Sequence, residues 1–369
     1  MTDELTERQE LARSGRLLEG TRGLLLGLAL GESLGGARGG PVPAGTVRAG
    51  VCTQLACFTV EGLVRAAVRG SMKGICHTPS VLWHAYCRWA HLQGVERERV
   101  RGRWTAFGSR PWPDGWLTGV PALAERRGSA PATVAALSGL EQGTLEQPAT
   151  NSRGWHAVGR TLPLAFVGSA RSPRYARYWN RQMREVAALT HGDAGAQWAA
   201  ACATVLAGHC LVAESLREAA EAAVAGLHGV DGMPPAELGR LSAALDEATA
   251  RPGDAALLAR LAPDQTAWSA VLGGVYAAVS FPGRGQVEAA LRFAAGAPDG
   301  EAVGCVAGAL LGAAHGARAL PVELVSRHEL AWVLDTLARD LLSEFSESPG
   351  GSGHEEGWDP YWLDRYPGW

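Results

Sequence analysis

Apolar residues recur at three- and four-residue intervals along most of the chain, the spacing that lines one face of an α-helix. The pattern predicts helices over Leu17–Leu34, Leu55–Val68, Val81–Leu92, Gln197–Leu227, Ala236–Ala250, Asp254–Leu261, Thr266–Val279, Val287–Ala295, Val303–Ala317 and His328–Leu342. The stretch from Gln197 to Leu227 is long enough for two. The alternation that marks strands is almost absent. Glycine and proline break the pattern at Gly35–Pro43, Arg110–Gly115, Pro282–Gly285 and Ala297–Gly300. The predicted architecture is all-α: one compact multi-helix domain over residues 15–342.

Many of these helices carry glycine or alanine at four-residue spacing, as in Gly304, Gly308, Gly312 and Gly316. A glycine inside a helix costs about 1 kcal/mol relative to alanine. A row of them on one face predicts two helix backbones in close approach. From Ser343 the composition changes. Ser346 to Gly353 reads as a flexible linker. It leads to Trp358, Tyr361, Trp362, Tyr366 and Trp369, an aromatic tail expected to dock on its own domain or on a partner subunit, by self-association or otherwise.

Composition narrows the function. Of 369 residues 47% are hydrophobic, enough for a large core, and no uncharged apolar run long enough to span a membrane is read from the chain. The first twenty residues are charged and lack an apolar signal core. Seven cysteines, none in a Cys-x-x-Cys pair, read as reduced thiols in a cytoplasmic protein. A net charge of −3 gives no ground for a nucleic-acid partner. Nearly every basic residue is arginine, which reflects a GC-rich genome. Thirteen tryptophans are the other anomaly. Trp83, Trp89, Trp104, Trp112 and Trp116 gather with His77, His84 and His91, which repeat every seven residues.

Four stretches carry a family resemblance, in order along the chain. They are the glycine-spaced helix Gly23 to Gly35 with Glu32, Gly50-Val51-Cys52-Thr53 running on to Leu63, Leu189-Thr190-His191-Gly192-Asp193, and Ala289 to Pro321 with Asp299-Gly300-Glu301-Ala302. Together they resemble the ADP-ribosylglycohydrolases, a family that includes dinitrogenase-reductase-activating glycohydrolases and J1-type crystallins. That resemblance implies two magnesium ions held by acidic pairs, Thr-Asp-Asp-Thr in the second stretch and Asp-x-Asp-Thr or -Ser in the fourth. The metals would position a ribose and a water that attacks the N-glycosidic carbon. In this chain the corresponding positions read Gly50, Val51, Cys52, Asp299, Glu301 and Ala302, and two of the six retain a carboxylate. Valine has no ligand atom, and thiolate suits softer metals than magnesium. No cofactor is therefore expected, beyond at most one hydrated magnesium on Asp299 and Glu301.

The candidate acid–base residues are Asp299, Glu301, Asp193 and Glu32. The candidate ligand-lining residues are His191, Cys52, Thr53, Trp155, His156 and Arg160, the last three standing where the family has its Asn-Gly-x-x-Met-Arg loop. Asp193 also reads as a helix N-cap, and Trp155 as a loop anchor. The reading that follows is a family member that binds an ADP-ribose-like small molecule or a partner without the usual hydrolysis. The alternatives are a repurposed metal-independent enzyme with a Trp-lined acidic cleft, a one-metal N-glycoside hydrolase, and a structural role.

Overall fold

The structure, a computed structural model, describes residues 2–38, 40, 44–105, 112–139, 141–169, 176–347 and 359–368. Among them there is no strand, only two isolated bridges, Val47 with His328 and Gly154 with Thr266. The architecture is the all-α one that the periodicity predicts. The principal helices are α1 (Thr2–Gly36), α2 (Val51–Lys73), α3 (Thr78–Leu92), α4 (His156–Thr161), α5 (Ala176–Ala188), α6 (Ala194–Val212), α7 (Leu216–Leu227), α8 (Pro235–Ala250), α9 (Ala267–Ser280), α10 (Val287–Ala295), α11 (Gly300–His315) and α12 (Ala331–Leu342). The long stretch from Gln197 divides after Val212, where Ser215 caps α7 by accepting from the Glu218 amide. Helix α5 escapes the sequence reading because its buried face mixes Asn180 and Gln182 with Met183, Val186 and Ala187.

One contact organises the body. Helices α1 and α11 lie against each other along Gly23–Gly312, Gly27–Gly308, Gly31–Gly304 and Gly35–Gly300. A methyl group placed on Gly23, Gly27, Gly31 or Gly35 would come within 1.8–2.1 Å of the facing carbonyl oxygen. The two backbones therefore touch directly, and the contact offsets the conformational entropy that eight helical glycines lose on folding. Because the helices run antiparallel, the C-terminal end of α1 meets the N-terminal end of α11. Glu32, next to Gly31, and Glu301, next to Gly300, are thus brought to the same end of the seam.

Helix α2 passes through the core, with Val51–Arg65 buried throughout. By length and composition α2 and α6 are apolar enough to cross a membrane, contrary to the sequence reading, which looked for uninterrupted apolar runs. Both are packed inside the helical body, with 94% and 78% of their most apolar windows buried. Helix α2 also carries charge into the interior. Glu61 pairs with Arg65 at 2.9 Å and with Arg88 of α3 at 2.5 Å, and Arg65 reaches Asp114 at 3.1 Å. Two arginines and two carboxylates balance, as buried ions must.

The histidine and tryptophan patch belongs to this region. His77 precedes α3, His84 contacts Arg88 and Trp112, and His91 meets the Trp112 ring edge-on at 5.0 Å. These contacts pack loop 112–116 against α2 and α3.

The end of the chain lies on the same side. Trp362 and Tyr366 are buried. The Trp362 indole donates to Glu344 at 3.2 Å, and both Tyr366 and Arg365 reach Asp340 on α12. The Arg69 guanidinium of α2 donates to the Gly368 carbonyl at 3.3 Å. Residues 348–358 and 369, which include most of the expected linker and two of the five tail aromatics, Trp358 and Trp369, lie outside the described residues.

The seam makes a direct prediction. Gly308→Ala should destabilise the protein by about 1–3 kcal/mol, because its methyl meets the Gly27 carbonyl at 2.0 Å and overpacking outweighs the gain in helix propensity. Gly239→Ala, on the exposed face of α8 with nothing within 4 Å, should stabilise by up to about 1 kcal/mol. Denaturant midpoints of the two variants, measured side by side, check both signs.

Candidate functional site

Helix α2 opens without a side-chain cap, since its N-cap residue is Gly50. The first turn of a helix leaves backbone N–H groups unsatisfied. Glu32 meets that need from α1. Its Oε1 accepts from the Cys52 amide at 2.8 Å, and its Oε2 accepts from the Thr53 amide at 2.8 Å and the Thr53 hydroxyl at 2.6 Å. Glycine is required at position 50 for steric reasons, because a Cβ there would lie 2.2 Å from the Glu32 carboxyl carbon. Burial pushes the Glu32 carboxyl up to about 7, although the bonds from Thr53 and Cys52 oppose that rise. The negative charge of Glu301 adds to it.

Helix α11 begins nearby. Asp299 caps it, with Oδ1 accepting from the Ala302 amide at 3.1 Å. Its Oδ2 is buried without a hydrogen-bond partner. Partial burial raises the Asp299 carboxyl. Partial burial and then the Asp299 charge raise that of Glu301, against the pull of Arg38.

Two thiols lie between these helix starts. Cys52 and Cys305 are both fully buried. The Cys52 sulfur also faces the His156 carbonyl at 4.0 Å. A Cβ on Gly159 would lie 2.7 Å from one sulfur and 3.1 Å from the other. Glycine stands at 159 because the sulfurs occupy the space a side chain would take.

The loop before α4 brings aromatic residues to the same place. Trp155 is buried, and its amide donates to the Gln265 carbonyl at 3.2 Å. Its ring stacks on His156 at 4.5 Å and 20°. Burial, helped by the Arg160 charge, lowers His156 to about 4, so its imidazole is neutral.

Arg160 lies beneath this surface, fully buried. It donates to the carbonyls of Val186 and Ala187 at 3.0 Å each and to the Thr190 hydroxyl at 2.6 Å, and its guanidinium lies over the Tyr86 ring. A cation on the last carbonyls of α5 suits the negative end of that helix.

Thr190 links Arg160 to His191. Its hydroxyl oxygen accepts from Arg160, so its proton is free to go to His191 Nδ1 at 2.8 Å. That leaves the His191 proton on Nε2, which lies next to Gly154. Burial and the Arg160 charge hold His191 well below its usual range. Asp193 caps α6, accepting from the Ala196 amide at 2.9 Å.

Glu32, Cys52, Thr53, His156, Asp299 and Glu301 therefore gather at one end of the glycine seam. At the start of α6 His191 lies close enough to His156 to feel a charge there, while Asp193 caps the helix. Arg160 serves the packing beneath, and Trp155 anchors the loop. Cys305 and Gly159 were missed in the sequence, where both look like small core residues; only their meeting with Cys52 in space marks them. Among the described residues no three histidine, cysteine, aspartate or glutamate side chains are arranged to hold a metal ion. A groove of about 250 Å³ between α7 and α8, lined by Arg217, Glu221, His228 and Asp246 among others, shares none of the site residues.

The Glu32 carboxyl gives a pH prediction. Its pKa is raised on folding from 4.5 to about 7. A carboxyl raised in this way contributes stability at low pH and loses it as pH rises through the folded value. Stability should fall between about pH 4.5 and 7 and then level off. Glu32→Gln, which cannot titrate, should flatten that slope in urea titrations at stepped pH.

Known proteins can be compared with this geometry. The family model for ADP-ribosylglycohydrolases matches residues 13–350. A solved structure described as an ADP-ribosylglycohydrolase-related protein complex superimposes with a TM-score of 0.53 at 20% identity, covering 89% of this chain and 98% of that one. No curated protein matches the chain. The chain belongs to the ADP-ribosylglycohydrolase family.

Proposed function

We propose that this family member uses the end of its glycine seam to bind an ADP-ribose-like ligand without a two-magnesium centre, and does not act as a conventional ADP-ribosyl hydrolase. The observation that carries this reading is the start of α2. Where the family has an acidic pair, this chain has a buried hydrocarbon at Val51 and a buried thiol at Cys52. Magnesium takes hard oxygen ligands in octahedral geometry. Glu32, whose carboxyl lies at the start of α2, already accepts three hydrogen bonds from that helix. The residues present do not fit a pair of magnesium ions, and no step is derived through them. Asp299 and Glu301 leave room for at most one hydrated ion.

His191, with its Nε2 proton beside Gly154, would donate to a ligand oxygen. His156 would offer the ring edge not stacked on Trp155. The finer reading, that the ligand resembles ADP-ribose, rests on family membership.

A second reading, a metal-independent enzyme acting on a small cationic or apolar molecule, is favoured by one observation. Three carboxyls at the site, Glu32, Asp299 and Glu301, are all raised, and groups shifted toward neutrality suit proton transfer.

Isothermal titration with ADP-ribose, in EDTA and in magnesium, tests the proposal. Equal binding in both, with no magnesium-dependent release of ADP-ribose from modified arginine or serine, is the expected result. Binding or release that requires magnesium would overturn it. Absence of binding in either buffer would move the weight to the second reading.

A further inference from the structure

We infer that Cys52 and Cys305 form a redox modification site, a thiol pair that closes to an intramolecular disulfide across the candidate site. The inference stands on geometry and is independent of any ligand. The two cysteines come from helices far apart in sequence, and both are present as free thiols. Their sulfurs lie 2.7 and 3.1 Å from the single point where a Gly159 side chain would begin, which brings them within disulfide-forming reach of each other. Cys202 instead faces the Met233 sulfur at 3.7 Å, and Cys76 stands half-exposed just past the end of α2.

The oxidant is a small peroxide, since both thiols are buried and a bulky reagent cannot reach them. One thiol reduces hydrogen peroxide, becoming a sulfenic acid and releasing water. The second sulfur attacks the sulfenic sulfur, forming the S–S bond and expelling the oxygen as a second water. Two thiols lose two hydrogens and two electrons in all, and the peroxide accepts them. Burial keeps both sulfurs protonated, so the reaction is slow and the dithiol is the resting form.

The bond would tie the first turn of α2 to α11. It would also draw Cys52 away from the His156 carbonyl, so the oxidised and reduced sites would differ in shape at the residues proposed to face a ligand.

The test uses the full-length protein with Cys76→Ser, which removes the half-exposed thiol. The native protein is treated with hydrogen peroxide, unfolded, alkylated and digested, and its peptides are weighed. The expected result is a crosslinked peptide pair joining Cys52 to Cys305, loss of two alkylatable thiols per chain, and recovery of both with dithiothreitol. Gly159→Ala, which puts a methyl group against both sulfurs, should abolish the crosslinked pair. Cys57→Ser should leave it intact. Oxidation of Cys52 or Cys305 to sulfinic or sulfonic acid with no crosslinked pair would overturn the inference. So would a crosslink that forms only in unfolded protein.

Discussion

The closeness of α1 and α11 is the constraint from which the site follows. Eight glycines on two antiparallel helices remove every side chain between the backbones. At that separation the residues flanking each glycine on the two helices become neighbours. Glu32 and Glu301 sit beside the last glycine pairs, and Cys305 follows Gly304. A wider spacing would carry these groups apart and leave Glu32 unable to reach the first turn of α2. The seam thus sets the depth of the site as well as the core.

Charge at the site is arranged around helix ends. Three of the helices there begin with an acid that accepts from backbone amides: Glu32 for α2, Asp193 for α6 and Asp299 for α11. Each carboxylate meets the positive end of a helix dipole. Glu32 differs in coming from another helix, and its longer arm occupies the space that Gly50 vacates. The pair can be read as one unit, in which the carboxyl supplies what a capping residue at position 50 otherwise would.

Much of this was legible in the sequence, and the reasons are physical. Helical periodicity survives in a single chain because a helix buries one face at a fixed spacing, so most of the long helices read correctly. The glycine spacing in α1 and α11 announced a close contact but not its partner, since nothing local says which two rows face each other. Asp193 could be read as a cap because capping is a local geometry. Trp155 could be read as a loop anchor, but its partner Gln265 could not, and Arg160 could not be placed, because its neighbours Val186 and Ala187 lie far along the chain. Helix α5 was lost because its buried face is polar enough to hide the stripe. Gly159 and Cys305 carried no signal at all: a glycine in a short helix and a cysteine among alanines are common, and only their shared point of contact with Cys52 distinguishes them.

The pairing of α1 with α11 also sets an order of events at the ribosome. Helix α1 is made first, yet the surface it packs against spans Gly300–His315. Until that segment emerges, the glycine-lined face of α1 and its flanking leucines have no native cover. Contacts this distant in sequence carry a large loop-closure cost and form late. The nascent chain therefore carries its central helix pair unmade from the synthesis of α1 until that of α11, and it is in that interval, before any ligand or oxidant matters, that holdase chaperones have the most to protect.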